Sequence, residues 1–189
     1  MGIALLALAT ARAEAGWRLD LQIGAFVPTS DVEFDHRSID VDADLGAGMS
    51  FVIGGGYGLG DWVELTTQFQ VAGTTDIFDE DSAGVLSFTP GARVFLVPAP
   101  KRFRPWLGGQ IGWYRVDGSF NNEFLFNNRD DDVDRTDDSF GINVGGGFDC
   151  AINQRVSLGL DVRYHNAFDA LDGFEFVTTN VNVGIHFGG

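Results

Sequence analysis

Eight segments of strict period-two alternation, connections that are alternately tight and long, and a chain rich in glycine and phenylalanine predict an all-β fold: an eight-stranded antiparallel up-and-down transmembrane β-barrel. The 189 residues include 26 Gly and 17 Phe, and that length suits one domain, read here as residues 16–189. Apolar residues make up 44% of the chain, too many for a disordered acidic polymer. Twelve Lys plus Arg stand against 27 Asp plus Glu, and the net charge of −15 argues against nucleic acid as a partner, because phosphate binding needs clustered bases. The single cysteine, Cys150, excludes an internal disulfide and any Cys-based zinc site. No stretch reaches the ~18 consecutive apolar residues of a transmembrane helix.

Residues 1–15 read as a signal peptide. Ile3 to Ala9 is a short apolar run, and Ala13-Glu14-Ala15 supplies the small-residue cleavage pattern, so that Gly16 starts the mature chain. The alternative is a buried first helix, and no Lys or Arg precedes the apolar run. Loss of Arg12 and Glu14 with the signal leaves the charge at −15. Export leads to an oxidising compartment, so a chain with one Cys must hold its fold without disulfides.

The first strand runs from Trp17 to Phe26, with Leu19, Leu21, Ile23 and Ala25 on one face and Arg18, Asp20, Gln22 and Gly24 on the other. In the second, Leu45 to Leu59, Met49, Phe51, Ile53 and Tyr57 oppose Gly48, Ser50, Val52, Gly54 and Gly56. The third sets Val63, Leu65, Thr67, Phe69 and Val71 against Glu64, Thr66, Gln68 and Gln70. The fourth sets Leu86, Phe88, Val94 and Leu96 against Ser87, Thr89, Gly91 and Arg93. The fifth sets Leu107, Ile111 and Trp113 against Gly108, Gln110 and Gly112. The sixth has Phe140, Ile142, Val144 and Phe148 opposite Gly141, Asn143, Gly145, Gly147 and Asp149. In the seventh, Val156 to Phe168, Leu158, Leu160, Val162 and Tyr164 oppose Ser157, Gly159, Asp161, Arg163 and His165. The last sets Val177, Val181, Val183, Ile185 and Phe187 against Thr178, Asn180, Asn182, Gly184 and His186. Such lengths match the ~9–11 residues that cross a bilayer at a tilt, against ~5–6 for a strand of an ordinary soluble domain.

Gly60-Asp61, the segment 98–104 and 153–155 are the short connections. Segments 27–44, 74–84, 118–139 and 169–175 hold 6, 4, 7 and 3 acidic residues, 20 of the 27. Lys101, Arg102, Arg104 and Arg155 all fall in the short turns. One end is therefore long-looped and anionic, the other tight and locally basic, which matches long outer loops and short periplasmic turns.

On this pattern residues 17–187 resemble small eight-stranded outer-membrane β-barrels, the OmpA-transmembrane and OmpX-like family group. The last strand, Val181-x-Val183-x-Ile185-x-Phe187, is similar to the C-terminal signal such proteins present to the barrel-assembly machinery, although Gly188 and Gly189 follow the aromatic here. The resemblance implies residence in the bacterial outer membrane, contact with its lipid and lipopolysaccharide, a monomer, no cofactor and no enzymatic activity. No peptidoglycan-binding domain follows the barrel in this sequence, so the resemblance does not imply that activity.

A soluble lipocalin-like barrel would carry the same stripes with the apolar face inward. Three features put the apolar face outside. The polar face is crowded with glycine, which suits a narrow filled lumen better than water. The apolar face carries bulky aromatics on most strands. Trp17, Trp62 and Trp106 fall at the tight-turn end, where an interfacial girdle belongs, although Trp62 and Trp106 are out of phase with their apolar neighbours.

The inward set then contains Arg18, Asp20, Glu64, Arg93, Asp149, Asp161 and Arg163, with His186 near the end. Buried charges must pair, so these residues form an ion-pair network: either a plug that fixes register and closes the lumen, or a gate that rearranges to pass solutes. Glu64 and Arg93, on neighbouring strands, are the leading pair. The alternative to a closed structural or surface-interaction barrel is a narrow channel for small solutes, like OmpW.

Other motifs are weaker. Asp40-x-Asp42-x-Asp44 has the alternate carboxylates of a calcium loop, but Leu45 stands where its glycine belongs and no Glu lies at the twelfth position. The bland reading of these acids, and of Asp130 to Asp134, is a solvated loop; the other is divalent binding, including calcium bridges to lipopolysaccharide. Arg163-Tyr164-His165-Asn166-Ala167 faintly resembles the site of lipid A deacylases, but Ala167 stands where the nucleophilic Ser is required. Three dispersed His residues give no H-x-x-x-H metal spacing, and Gly54-Gly55-Gly56-x-Gly58 has no Lys or helix to make a phosphate loop.

Overall fold

The computed structural model describes residues 16–29, 32–33, 42–43, 47–74, 82–99, 101–120, 133–168 and 173–187. Alternation of side-chain character produces strands β1 (Trp17–Pro28), β4 (Gly48–Gly58), β5 (Val63–Thr74), β6 (Ser82–Phe95), β7 (Phe103–Phe120), β8 (Val133–Ala151), β9 (Val156–Ala167) and β10 (Phe174–Phe187). A two-residue ribbon, β2 (Val32–Glu33) with β3 (Asp42–Ala43), lies in the connection from β1 to β4. The eight long strands pair antiparallel in sequence order, and β10 closes the barrel on β1 from Trp17↔Phe187 to Pro28↔Phe176. Closure leaves no edge strand to be satisfied.

The short connections explain themselves locally. Gly60 adopts φ 105° in the turn from β4 to β5, a left-handed conformation that a Cβ would strain. In the turn from β8 to β9, Asn153 Oδ1 accepts hydrogen bonds from the backbone N–H groups of Arg155 and Val156, at 2.8 and 3.0 Å, so the side chain mimics a backbone turn.

Side chains separate by parity as expected, and the apolar face is outside. Leu107, Ile111 and Phe140 are 58%, 67% and 74% exposed, while Gln110, Asn143 and Asp161 on the opposite face are buried. An apolar belt on every strand is the surface of a barrel in lipid, and it excludes the soluble reading.

Several boundaries differ from the sequence expectation: β1 runs on to Pro28, β4 starts at Gly48 and β6 starts at Ser82. Strand β7 begins at Phe103, inside the expected turn 98–104, and runs 18 residues. Strand β8 takes in 133–139, expected as loop, and runs 19 residues. Strand β10 starts at Phe174, inside the expected loop 169–175 and ahead of the expected start at Val177. The extended parts of β7 and β8 stay in register to Phe120↔Val133, and Phe174 and Phe176 of β10 join the inward cluster described below. The first 15 residues, Asp40, Asp44 and Asp130 to Asp132 lie outside the described residues; Asp42 falls in β3, and its side chain is not described.

Candidate functional site

Arg18, Asp20, Glu64, Arg93, Asp149, Asp161 and Arg163 all point into the barrel and are buried. Parity places them there: each shares a face with the glycines and amides of its own strand. Five of them meet at the end carrying the short turns. Arg18 holds Asp20 Oδ2 through Nε at 2.8 Å and Nη2 at 2.5 Å. Its Nη1 reaches Asp149 Oδ2 at 2.6 Å, and its Nε lies 3.7 Å from Glu64 Oε1. Arg93 Nη2 lies 2.9 Å from Glu64 Oε1 and 3.1 Å from Asp149 Oδ2. Glu64 and Arg93 are also direct cross-strand partners. Asp149 thus ties β8 to β1 and β6, and the network braces the bore from four strands.

The glycine run on β4 makes room for this. A Cβ on Gly56 would land on the Glu64 carboxylate, and one on Gly54 would come within 3.6 Å of Asp20 Cβ. Glycine here is a matter of space: small residues on one wall let large charged ones from the others fill the section.

The second charged group is Asp161 with Arg163, two residues apart on β9, joined at 2.9 and 3.1 Å. Arg163 Nη1 donates to Asn143 Oδ1 at 2.9 Å. Asn143 Nδ2 donates to Gln110 Oε1 at 3.0 Å and to the Tyr114 hydroxyl at 3.2 Å, and Gln110 Nε2 donates to Thr66 Oγ1 at 3.1 Å. His186 contacts Ser157 Oγ through Nε2 at 3.0 Å and stays outside the carboxylate cluster.

Trp106 corrects the girdle. Trp17 and Trp62 are exposed at the short-turn end, but Trp106 is only 1% exposed inside the lumen. Its ring lies between the guanidiniums of Arg93 and Arg163, 5.4 and 5.1 Å from its centroid. Its parity with Gly108 and Gln110 was the signal, and two cations seeking a π face are the physical reason. Gly147 leaves space for it: a Cβ there would sit 2.9 Å from Trp106 Cζ2. Tyr57, 4.8 Å from Trp17, and Phe103, 5.2 Å from Phe148, continue the outer aromatic belt at this end.

The opposite end holds what polar-face reasoning missed. Phe26, Ala72, Val85, Tyr114, Val116, Ala167, Phe174 and Phe176 form a buried apolar cluster inside the barrel. His165 stacks on Phe176 with ring centroids 4.3 Å apart and planes at 10°, while its Nδ1 meets the Tyr114 hydroxyl at 3.2 Å and its Nε2 meets Thr178 Oγ1 at 3.1 Å. The lumen is therefore layered: ion pairs, then amides and hydroxyls, then aromatic rings. Among the described residues no group of three or more His, Cys, Asp or Glu has the arrangement to hold a metal.

Outside, the apolar belt ends on β7 and β8 between Trp113 and Arg115 and between Phe140 and Asp138, which pair as Trp113↔Phe140 and Arg115↔Asp138. Arg115 and Asp117 on that outer face are exposed and 3.6 Å apart.

No curated protein matches the chain. Among solved structures, OprG from Pseudomonas aeruginosa is similar at 13% identity and TM-score 0.67, over 94% of this chain and 98% of that one. Neisserial surface protein A is similar at 14% identity and TM-score 0.61, over 92% and 97%. Ail, the attachment invasion locus protein of Yersinia pestis, is similar at 11% identity and TM-score 0.57, over 92% and 99%. At such identities the likeness is one of fold. The family relationship is broader: residues 1–187 match the outer membrane protein beta-barrel domain. With its closed eight-stranded barrel, outward apolar belt and charged lumen, the chain belongs to that family and resides in the bacterial outer membrane, in contact with its lipid.

Proposed function

We propose that the barrel is closed to solutes and serves as a structural and surface-interaction element of the outer membrane, presenting its acidic loops to the outside. The observation that carries this reading is the cross-bracing of the bore: Arg18, Glu64, Arg93 and Asp149, all nearly fully buried, meet from four different strands. Opening a path there means pulling buried, paired charges apart, a costly step in a low-dielectric lumen. The aromatic cluster at the other end adds a second, apolar barrier. In a planar bilayer the purified protein is expected to give no conductance steps. Reproducible single-channel steps from the folded barrel would establish the narrow channel instead.

The same reading assigns no catalysis to the chain. His165, the residue of the deacylase-like segment, points inward to Tyr114 and Thr178, away from any lipid substrate, and Ala167 beside it offers no nucleophile. Residues 1–15 act as the export signal, the last strand docks on the barrel-assembly machinery, and the barrel works as a monomer. The anionic long connections, Asp40, Asp42 and Asp44 among them, face lipopolysaccharide, with divalent cations as the bridge between the two anionic partners. OprG, surface protein A and Ail share the fold, and nothing beyond it is transferred from them.

A further inference from the structure

We propose that the short-turn rim carries a docking site for an anionic phospholipid, with Arg102 and Arg155 holding its phosphate and Phe103, Leu158 and Ile152 receiving its acyl chains. This rests on the reading that the short turns face the periplasmic side, where phospholipid rather than lipopolysaccharide meets the barrel.

The described bases are few. Arg104 is half-buried on the Val97 and Asp61 carbonyls, and Arg115 is exposed beside Asp117. Arg18, Arg93 and Arg163 are buried and paired with carboxylates. Lys101, Arg102 and Arg155 are exposed, and no carboxylate pairs with them among the described residues. In a chain of net charge −15, three unpaired cations at one rim form a local field of opposite sign. Asp61 is the one acid in the three described turns of that rim.

Arg102 is held through its side chain, and Arg155 through its backbone. Arg102 Nε donates to Ala151 O at 3.1 Å, and the Ala151 N–H donates back to Arg102 O at 2.7 Å, which fixes Arg102 beside β8 and leaves its terminal amines free. The Arg155 N–H is fixed by Asn153, and the Arg155 carbonyl accepts from the His186 N–H at 2.8 Å. The two flank the end of β8 on either side. The register places Phe103, Cys150 and Leu158 in one outward row just above them. Phe103 is half exposed, as is Ile152 in the turn. A guanidinium beside apolar surface at the water boundary fits a phosphodiester headgroup with its chains running up the barrel wall: the planar donors match phosphate oxygens, and the rings lie along hydrocarbon. A neutral zwitterionic headgroup brings its own cation into the same space and is disfavoured.

The test offers the purified barrel, in neutral detergent, three lipids in parallel by native mass spectrometry: phosphatidylglycerol, phosphatidylcholine and lipid A. Phosphatidylglycerol is expected to be retained over phosphatidylcholine, and the exposed double variant Arg102→Gln with Arg155→Gln to lose roughly 30-fold in retention, at about fivefold per base at an anionic lipid surface. Arg115→Gln, at the other end of the barrel, is expected to leave retention unchanged. Equal retention of the two phospholipids, a double variant that binds as well as the parent, or preference for lipid A each overturns the proposal. Protease access in intact cells reports the orientation of the barrel separately, so failure of the lipid site and failure of the topology are distinguishable.

Discussion

Removing Glu64 does not strand Arg93. Arg93 Nη2 keeps Asp149 Oδ2 at 3.1 Å, and the other partner of Glu64, Arg18, keeps Asp20 and Asp149. The loss is therefore one ion-pair contact, about 1.5–3 kcal/mol on the scale of an interaction with a charged partner, and not the ~3–5 kcal/mol of a buried charge left alone. The cluster of Arg18, Asp20, Glu64, Arg93 and Asp149 also holds three acids and two bases, so loss of an acid relieves repulsion and loss of a base adds to it. Glu64→Gln should consequently fall at the low end of that range, and Arg93→Gln should cost more. Asp149→Asn, which breaks contacts with two arginines at 2.6 and 3.1 Å, should cost roughly twice as much as Glu64→Gln. Urea titration of the barrel refolded into phospholipid vesicles, followed by tryptophan fluorescence, measures each cost. The double variant Glu64→Gln with Arg93→Gln supplies the coupling. If the single costs add to within ~0.5 kcal/mol, the pair does not interact; if Glu64→Gln costs more than Arg93→Gln, the charge ledger of the cluster is wrong.

Leu160 points outward between Phe148 and Val181, so Leu160→Arg should destabilise the barrel by ~2–4 kcal/mol in the same titration. A spin label at residue 160 should be relaxed by lipid-borne quenchers while one at 161 is not; equal quenching would refute the assigned faces. Gly147→Leu forces a side chain against Trp106 and the Leu160 carbonyl, an overpacking expected to cost at least ~1–3 kcal/mol and to cut the folded fraction on unheated gels; a fully folded variant would show that the glycine wall is not sterically required. Protease added to intact cells should cut in 27–44, 74–84, 118–139 or 169–175, and cleavage confined to 98–104 or 153–155 would reverse the orientation.

Much of the barrel was legible because period two and burial coincide: Glu64 and Arg93 read as neighbours on one face, and they are cross-strand partners. The residues missed failed for one physical reason. Inward is not polar throughout: Phe26 follows Arg18, Asp20, Gln22 and Gly24 on the same parity, and Phe174 and Phe176 precede Thr178 and Asn180 on theirs. Polarity inverts partway along the lumen while the pleat continues. Carrying the parity past that inversion would have placed Tyr114 and Val116 in the core and lengthened β7, β8 and β10. Trp106 belongs with them: its place near a turn suggests the interface, but its phase along β7 is inward. The pairing of Asp149 with arginines on two other strands had no such signal, since contact across a bore depends on closure and not on spacing along the chain.

The length of the β7–β8 hairpin has a consequence for reach. Its outward face turns from apolar to charged at Arg115 and Asp138, yet the strands stay paired to Phe120 and Val133, five residues further on each. At ~3.3 Å per residue and a tilt of ~45°, those five residues rise about 12 Å. The hairpin therefore works as a stalk. It carries its last described pair, Phe120 and Val133, clear of the apolar belt by about the thickness of a headgroup layer.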